Sequence, residues 1–92
     1  MNKIKLEQGN YGTKAILLSG WENSFIAYFK EKNVVELYLN HALGWNDDNV
    51  LFLKNLPNLL NFKILNYKIK SLEGIEFLTE LPFKITKVVL IQ

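Results

Sequence analysis

Few side chains in this 92-residue chain have the types and spacing that chemistry would need. There is one histidine, His41, in the run Leu39-Asn40-His41-Ala42. A nucleophile–base–acid triad built on it would need both partners from distant parts of the chain, so a solvated or structural histidine is the expectation. Asp47 and Asp48 are the only aspartates. Adjacent carboxylates at a helix start read as capping groups, and the spacing supplies no further oxygen or nitrogen ligands for a metal. The chain has no cysteine, which removes disulfides and thiolate metal sites. Gly9, Gly12, Gly20, Gly44 and Gly74 are too dispersed for a phosphate-cradling loop. The expectation is a chain that is not an enzyme and takes no cofactor or metal.

Charge narrows the partners. The formal net charge is +2, and all eleven basic residues are lysines scattered among acids. Base-edge and bidentate phosphate readout rely on arginine, so nucleic acid is an unfavoured partner. No apolar run reaches the ~18 residues of a membrane helix, and Met1–Gln8 has no apolar signal core. A cytoplasmic protein with no membrane partner is expected. The length allows one domain, residues 1–92.

The elements that position these residues follow from a repeat. Phe52-Leu53-Lys54-Asn55-Leu56-Pro57 recurs as Phe77-Leu78-Thr79-Glu80-Leu81-Pro82, with Phe, Leu, Leu and Pro all matched at one offset. Each copy leads into an alternating apolar segment: Leu59-x-x-Phe62-x-Ile64, then Ile85-x-x-Val88-x-Leu90. Val34-x-x-Leu37-x-Leu39 and Thr13-x-x-Ile16-x-Leu18 lie upstream. Residues at i and i+2 share one face of a strand, which predicts Ile16/Leu18, Leu37/Leu39, Phe62/Ile64 and Val88/Leu90 as the core side. Between strands, Phe25/Ile26/Phe29, Val50/Leu53/Leu56 and Ile75/Leu78/Leu81 have helical spacing. Asn23 or Ser24 would start the first helix, Asn46, Asp47 and Asp48 the second, and Ser71 the third. Pro57 and Pro82 would end the second and third. Trp21 and Trp45 precede two of these starts, separated by nearly the same interval as the repeat, as equivalent repeat positions would be. They are read as covers for the sheet under the helices. One strand and one short helix cannot bury such faces alone, whereas stacked copies can. A doubly wound sheet is the rival arrangement, but helices of about ten residues suit a solenoid better.

Leu59-x-x-Phe62-x-Ile64-x-x-Tyr67-x-Ile69 resembles the leucine-rich-repeat pattern L-x-x-L-x-L-x-x-N-x-L. The strands begin their paired alternations at Ile16, Leu37, Phe62 and Val88, spacings in or near that pattern's period of ~20–29 residues. Lys70 to Leu78 looks like the outer segment of the short bacterial repeat type. The resemblance covers residues 21–92 and departs at the consensus asparagine, which is Tyr67 in one copy and Ala42 in the one before. It implies an α/β leucine-rich-repeat solenoid with parallel strands and short outer helices. Residues 1–20 would form an N-terminal β-hairpin cap and first strand, with the turn at Gly9-Asn10-Tyr11-Gly12.

In that arrangement the alternates of the core residues face the concave side, in the rows Ala15/Glu36/Asn61/Lys87, Leu17/Tyr38/Lys63/Val89 and Ser19/Asn40/Leu65/Ile91. An aromatic among polar groups with apolar neighbours has the composition of a protein-binding face. The candidate binding residues are Glu36, Tyr38, Asn40, Lys63, Leu65, Val89 and Ile91. The implied function is a non-catalytic scaffold that binds another protein through this face or through the terminal strand. Val88-Val89-Leu90-Ile91 has high β-propensity and no polar cap after it. That fits a fragment of a longer solenoid, or an edge that pairs with a second copy to make a homodimer. Two alternatives stay open: an immunity- or inhibitor-type protein, by analogy alone, and a small nucleic-acid-binding α/β domain that uses the interleaved Tyr38, Lys63, Tyr67, Lys68 and Lys70.

Overall fold

A computed structural model describes residues 2–65, 71, 73–75 and 87–91. Among them the chain is a small α/β domain: one mixed sheet of five strands, one α-helix and two 3-10 helices. The strands are β1 (Ile4–Gln8), β2 (Thr13–Leu17), β3 (Val34–Asn40), β4 (Asn61–Leu65) and β5 (Lys87–Ile91). They lie side by side in chain order. β1 and β2 form the antiparallel hairpin expected at the N-terminus, and every later neighbour is parallel.

One face of the sheet is covered. Ala15, Leu17, Leu37, Leu39, Phe62 and Ile64 are buried in a single cluster with Phe25 and Phe29 of α1 (Phe25–Glu31) and with Phe52 and Leu53 of the 3-10 helix Leu51–Asn55. Phe25 and Phe29, four apart, share one face of α1. Ser24 holds the N-cap position without a side-chain cap bond; the carbonyls of Glu22 and Asn23 accept from the Phe25 and Ile26 N–H groups instead. α1 ends at Glu31, and Asn33, with a φ of 54°, turns the chain into β3.

Trp45 is fully buried within this cluster rather than a cover at its margin. Trp21 stacks on Phe52 at 4.5 Å and meets Phe25 and Phe29 edge-on. Asp47 joins the two tryptophans, since its Oδ2 accepts from the Trp21 backbone N–H and the Trp45 indole N–H, both at 2.7 Å. Gly44 closes the same junction. It has φ 116°, and a methyl group there would overlap the Leu18 carbonyl.

Three expectations change. First, β2 presents the opposite face. Lys14, not Ala15, pairs with Glu36, and Ile16, not Leu17, pairs with Tyr38. Ala15 and Leu17 are the core residues, Ile16 is buried outside the core cluster, and Leu18 is 39% exposed. The cause is the hairpin. Ile4 pairs with Leu17 and Leu6 with Ala15, whereas Lys5 pairs with Ile16; turning Ile16 inward would carry Lys5 with it, and an unpaired buried ammonium is costly. An extra residue in β3, where the register shifts between the Thr13–Val34 and Lys14–Glu36 pairs, absorbs the difference. Second, the segment after Trp45 forms a 3-10 helix, with Leu53 N–H donating to Val50 and Leu56 N–H to Leu53, and it stops just before Pro57. Third, Asp47 is not its cap. Asn49 Oδ1 accepts from the Leu51 N–H at 2.9 Å. The expected third helix, with Leu78, Leu81 and Pro82, lies outside the described residues, although Ser71 Oγ does accept from the Glu73 N–H at 3.0 Å.

This register makes opposite demands on two adjacent leucines. Leu17→Ala should lower unfolding free energy by about 2–5 kcal/mol, the range for emptying a packed leucine site. Leu18→Ala should cost no more than about 0.5 kcal/mol, as for an ordinary surface change. Urea melts of the two variants measure the difference, and the reverse order would restore the other face of β2 to the core.

Candidate functional site

The uncovered face of the sheet carries the candidate residues, and the register arranges them in rows across the strands. The first row is Glu7, Lys14, Glu36, Asn61 and Lys87; the second is Lys5, Ile16, Tyr38, Lys63 and Val89; the third is Asn40, Leu65 and Ile91. The expected order holds from β3 through β5, and only the β2 members differ.

The first row is closed by the hairpin turn. Gly9 N–H donates to the Gly12 carbonyl at 2.7 Å, and the turn folds over Glu36. That side chain is only 2% exposed. Its carboxyl group accepts from the Tyr11 backbone N–H at 2.6 Å and from the Asn61 amide at 2.8 Å. Gly9 permits this approach, because any Cβ there would overlap the Glu36 carboxyl group. Glu7 and Lys14 form an ion pair at 3.0 Å. Glu36 thus holds the cap to the first parallel strands and is not a free contact residue.

The second row is open. Lys63 is exposed, and its Nζ lies 5.6 Å from the centroid of the half-buried Tyr38 ring, within range of a cation–π contact. Tyr38 Oη accepts from Asn40 Nδ2 at 3.1 Å. Asn40 is itself buried, and its Oδ1 caps the 3-10 turn His41–Leu43 by accepting from the Ala42 N–H at 2.9 Å. Asn40 therefore orients the tyrosine. Leu65 and Val89 are half-buried and Ile91 is 48% exposed, giving the face an apolar margin beside Lys63. A groove of about 350 Å³ runs between the turn and these rows, lined in part by Gln8, Lys14, Tyr38, Asn61, Lys63 and Val89.

Of the seven candidate residues, five (Tyr38, Lys63, Leu65, Val89 and Ile91) are thus presented at the surface, while Glu36 and Asn40 act from beneath it. Sequence reasoning missed the turn and Lys14 as parts of the site. The available signal was the pair Gly9 and Gly12, at a turn able to lie close over a strand.

The other residues weighed for chemistry lie elsewhere. His41 packs against the Trp45 ring at 4.8 Å. Among the described residues no three metal-ligating side chains cluster, and no helix is long and apolar enough to cross a membrane.

Removing the Glu36 acceptor leaves the Tyr11 N–H and the Asn61 amide unsatisfied under the turn. Glu36→Ala should therefore destabilise the domain by about 2–4 kcal/mol. Glu36→Gln should recover more than half of that, because it keeps an acceptor for Tyr11 and the Asn61 amide can rotate to offer its carbonyl. Denaturant melts with backbone amide exchange at Tyr11 test this, and an unprotected Tyr11 amide in the wild-type chain would remove the basis for it.

No protein-family model, curated protein or solved structure matches the chain.

Proposed function

We propose that this chain is a leucine-rich-repeat-type solenoid unit that binds another protein on the open face of its sheet, without catalysis. The observation that carries the reading is the asymmetry of the sheet. Strands β2 to β5 follow one another in chain order and in parallel, and α1 and the 3-10 helix Leu51–Asn55 pack into one core on one side. Sequential parallel strands with connections on a single side are the arrangement of a repeat stack; a doubly wound sheet covers both faces. The face left open has an oriented aromatic, an exposed cation and an apolar margin. That mixture suits a protein surface. It suits a nucleic acid less well, since Glu7 and Glu36 share the face and Leu65, Val89 and Ile91 interrupt any cationic track.

Site-specific photocrosslinking distinguishes the faces. A benzophenone side chain at Leu65 should capture a discrete protein from the source cell's extract, and Tyr38→Ala with Lys63→Glu should abolish the capture. The same probe at Lys54, on the helical side, should capture nothing. Capture only at Lys54, or a shift of a labelled oligonucleotide at ~50 mM salt that Lys63→Glu removes, would overturn the reading.

A second reading concerns the sheet edge. β5 ends the strand order and its Ile91 is largely exposed, which supports antiparallel pairing of β5 with β5 of a second copy. Sedimentation across ~1–200 μM should then show a reversible dimer that Val89→Lys dissociates. A monomer throughout that range would exclude it.

A further inference from the structure

The charges of the open face are unequally satisfied. Lys14 is paired with Glu7. Glu36 is buried, with donors on both carboxyl oxygens. Among the described residues Lys63 has no acidic partner, and its close contact is the Tyr38 ring. Lys5 is exposed in the same row, and Lys87 holds the register position beside Asn61. The one carboxylate lining the groove, Glu36, is taken up by Tyr11 and Asn61, so the Lys63 ammonium stands at the groove without a carboxylate among the described residues. Immediately beyond it the surface turns apolar, with Leu65 two residues along β4 and Val89 and Ile91 alongside on β5.

The spacing selects a ligand shape. Residues i and i+2 of an extended chain lie about 6.6–6.8 Å apart and point the same way. Lys63 and Leu65 are themselves i and i+2 on one face of a strand. A peptide laid along β4 and β5 in extended form matches that interval residue for residue.

We propose that the open face takes an extended acidic–aliphatic segment of a partner protein, with an Asp or Glu carboxylate on Lys63 and the aliphatic side chain two residues away on Leu65, Val89 and Ile91. The proposal rests on the reading of this face as a protein-binding surface and adds the chemistry of what it binds. Tyr38 flanks the Lys63 ammonium and limits its freedom, so less side-chain entropy is lost when the carboxylate arrives.

The test is selection of random nine-residue peptides displayed on phage against the intact chain, with enriched peptides then synthesised. The expected peptides carry Asp or Glu two positions from Leu, Ile or Val and shift the amide resonances of Tyr38, Lys63 and Leu65. Replacing the peptide acid by its amide should weaken binding at least ~10-fold, as loss of a charge-assisted contact does. Lys63→Glu, at an exposed site where the fold is kept, should weaken it similarly and should favour a peptide whose acid is replaced by lysine. Peptides that shift the same amides but carry no acid, or that bind Lys63→Glu equally well, would overturn the proposal and leave the protein-binding face standing. Peptides that shift only α1 and the 3-10 helix, or a library that yields no binder, would overturn both.

Discussion

The architecture depends on the register of the β1–β2 hairpin. With Ile4 opposite Leu17 and Leu6 opposite Ala15, these four apolar residues face the same side, and Lys5, opposite Ile16, is left in water. Since β2 is also the first parallel strand, the hairpin dictates which face every later strand must turn inward. The alternative would place Ile16 and Leu18 in the core but would draw Lys5 inward. Burying an uncompensated ammonium costs several kcal/mol, more than an exchange of one pair of apolar residues for another returns. The irregularity at the start of β3 is the local consequence.

From that choice follows the division of labour between the two faces. The inner face is joined by apolar packing and by one polar junction, where Asp47 serves the Trp21 amide and the Trp45 indole together. A donor buried there without an acceptor would cost about as much as a lost core methylene or more, so this carboxyl group ties two successive strand-to-helix connections at the same level. The outer face is joined at one end by Glu36 under the hairpin turn, and it presents Tyr38 and Lys63 beyond that turn. The core and the open face thus draw on different residues of the same strand: in β3, Leu37 and Leu39 build the core, Glu36 and Asn40 hold neighbouring segments, and the half-buried Tyr38 between them meets solvent.

Much of the candidate site was legible in the chain alone. The rows from β3 to β5 follow from the constant phase of the alternating segments, because Leu37, Phe62 and Val88 occupy equivalent positions and pair in register across the parallel strands. The contribution of β2 was not legible from that phase. Its Ile16-x-Leu18 alternation matches the later strands better than Ala15-x-Leu17 does, and only the antiparallel partner breaks the tie. The 3-10 form of Leu51–Asn55 escaped for a related reason. Val50, Leu53 and Leu56 recur at intervals of three, a spacing that a 3-10 helix satisfies as well as one face of an α-helix.

By itself the sequence determined the class of structure. Alternating apolar pairs that recur at a nearly constant interval, separated by helical spacings, can be buried only as parallel strands with helical connections beside them, and Gly9 to Gly12 between two alternating runs can only turn back. Those are local and periodic properties, written in neighbouring residues. Tertiary structure alone decided which of the polar residues are available. Glu36 and Tyr38 look equivalent in the chain, two apart on one strand face, yet one is sealed by a turn from far upstream and the other lies open beside Lys63. Asp47 and Asp48 are likewise adjacent, but only Asp47 meets two donors from distinct parts of the fold. Burial of a polar group depends on what arrives from elsewhere in the chain, and no local pattern records that arrival.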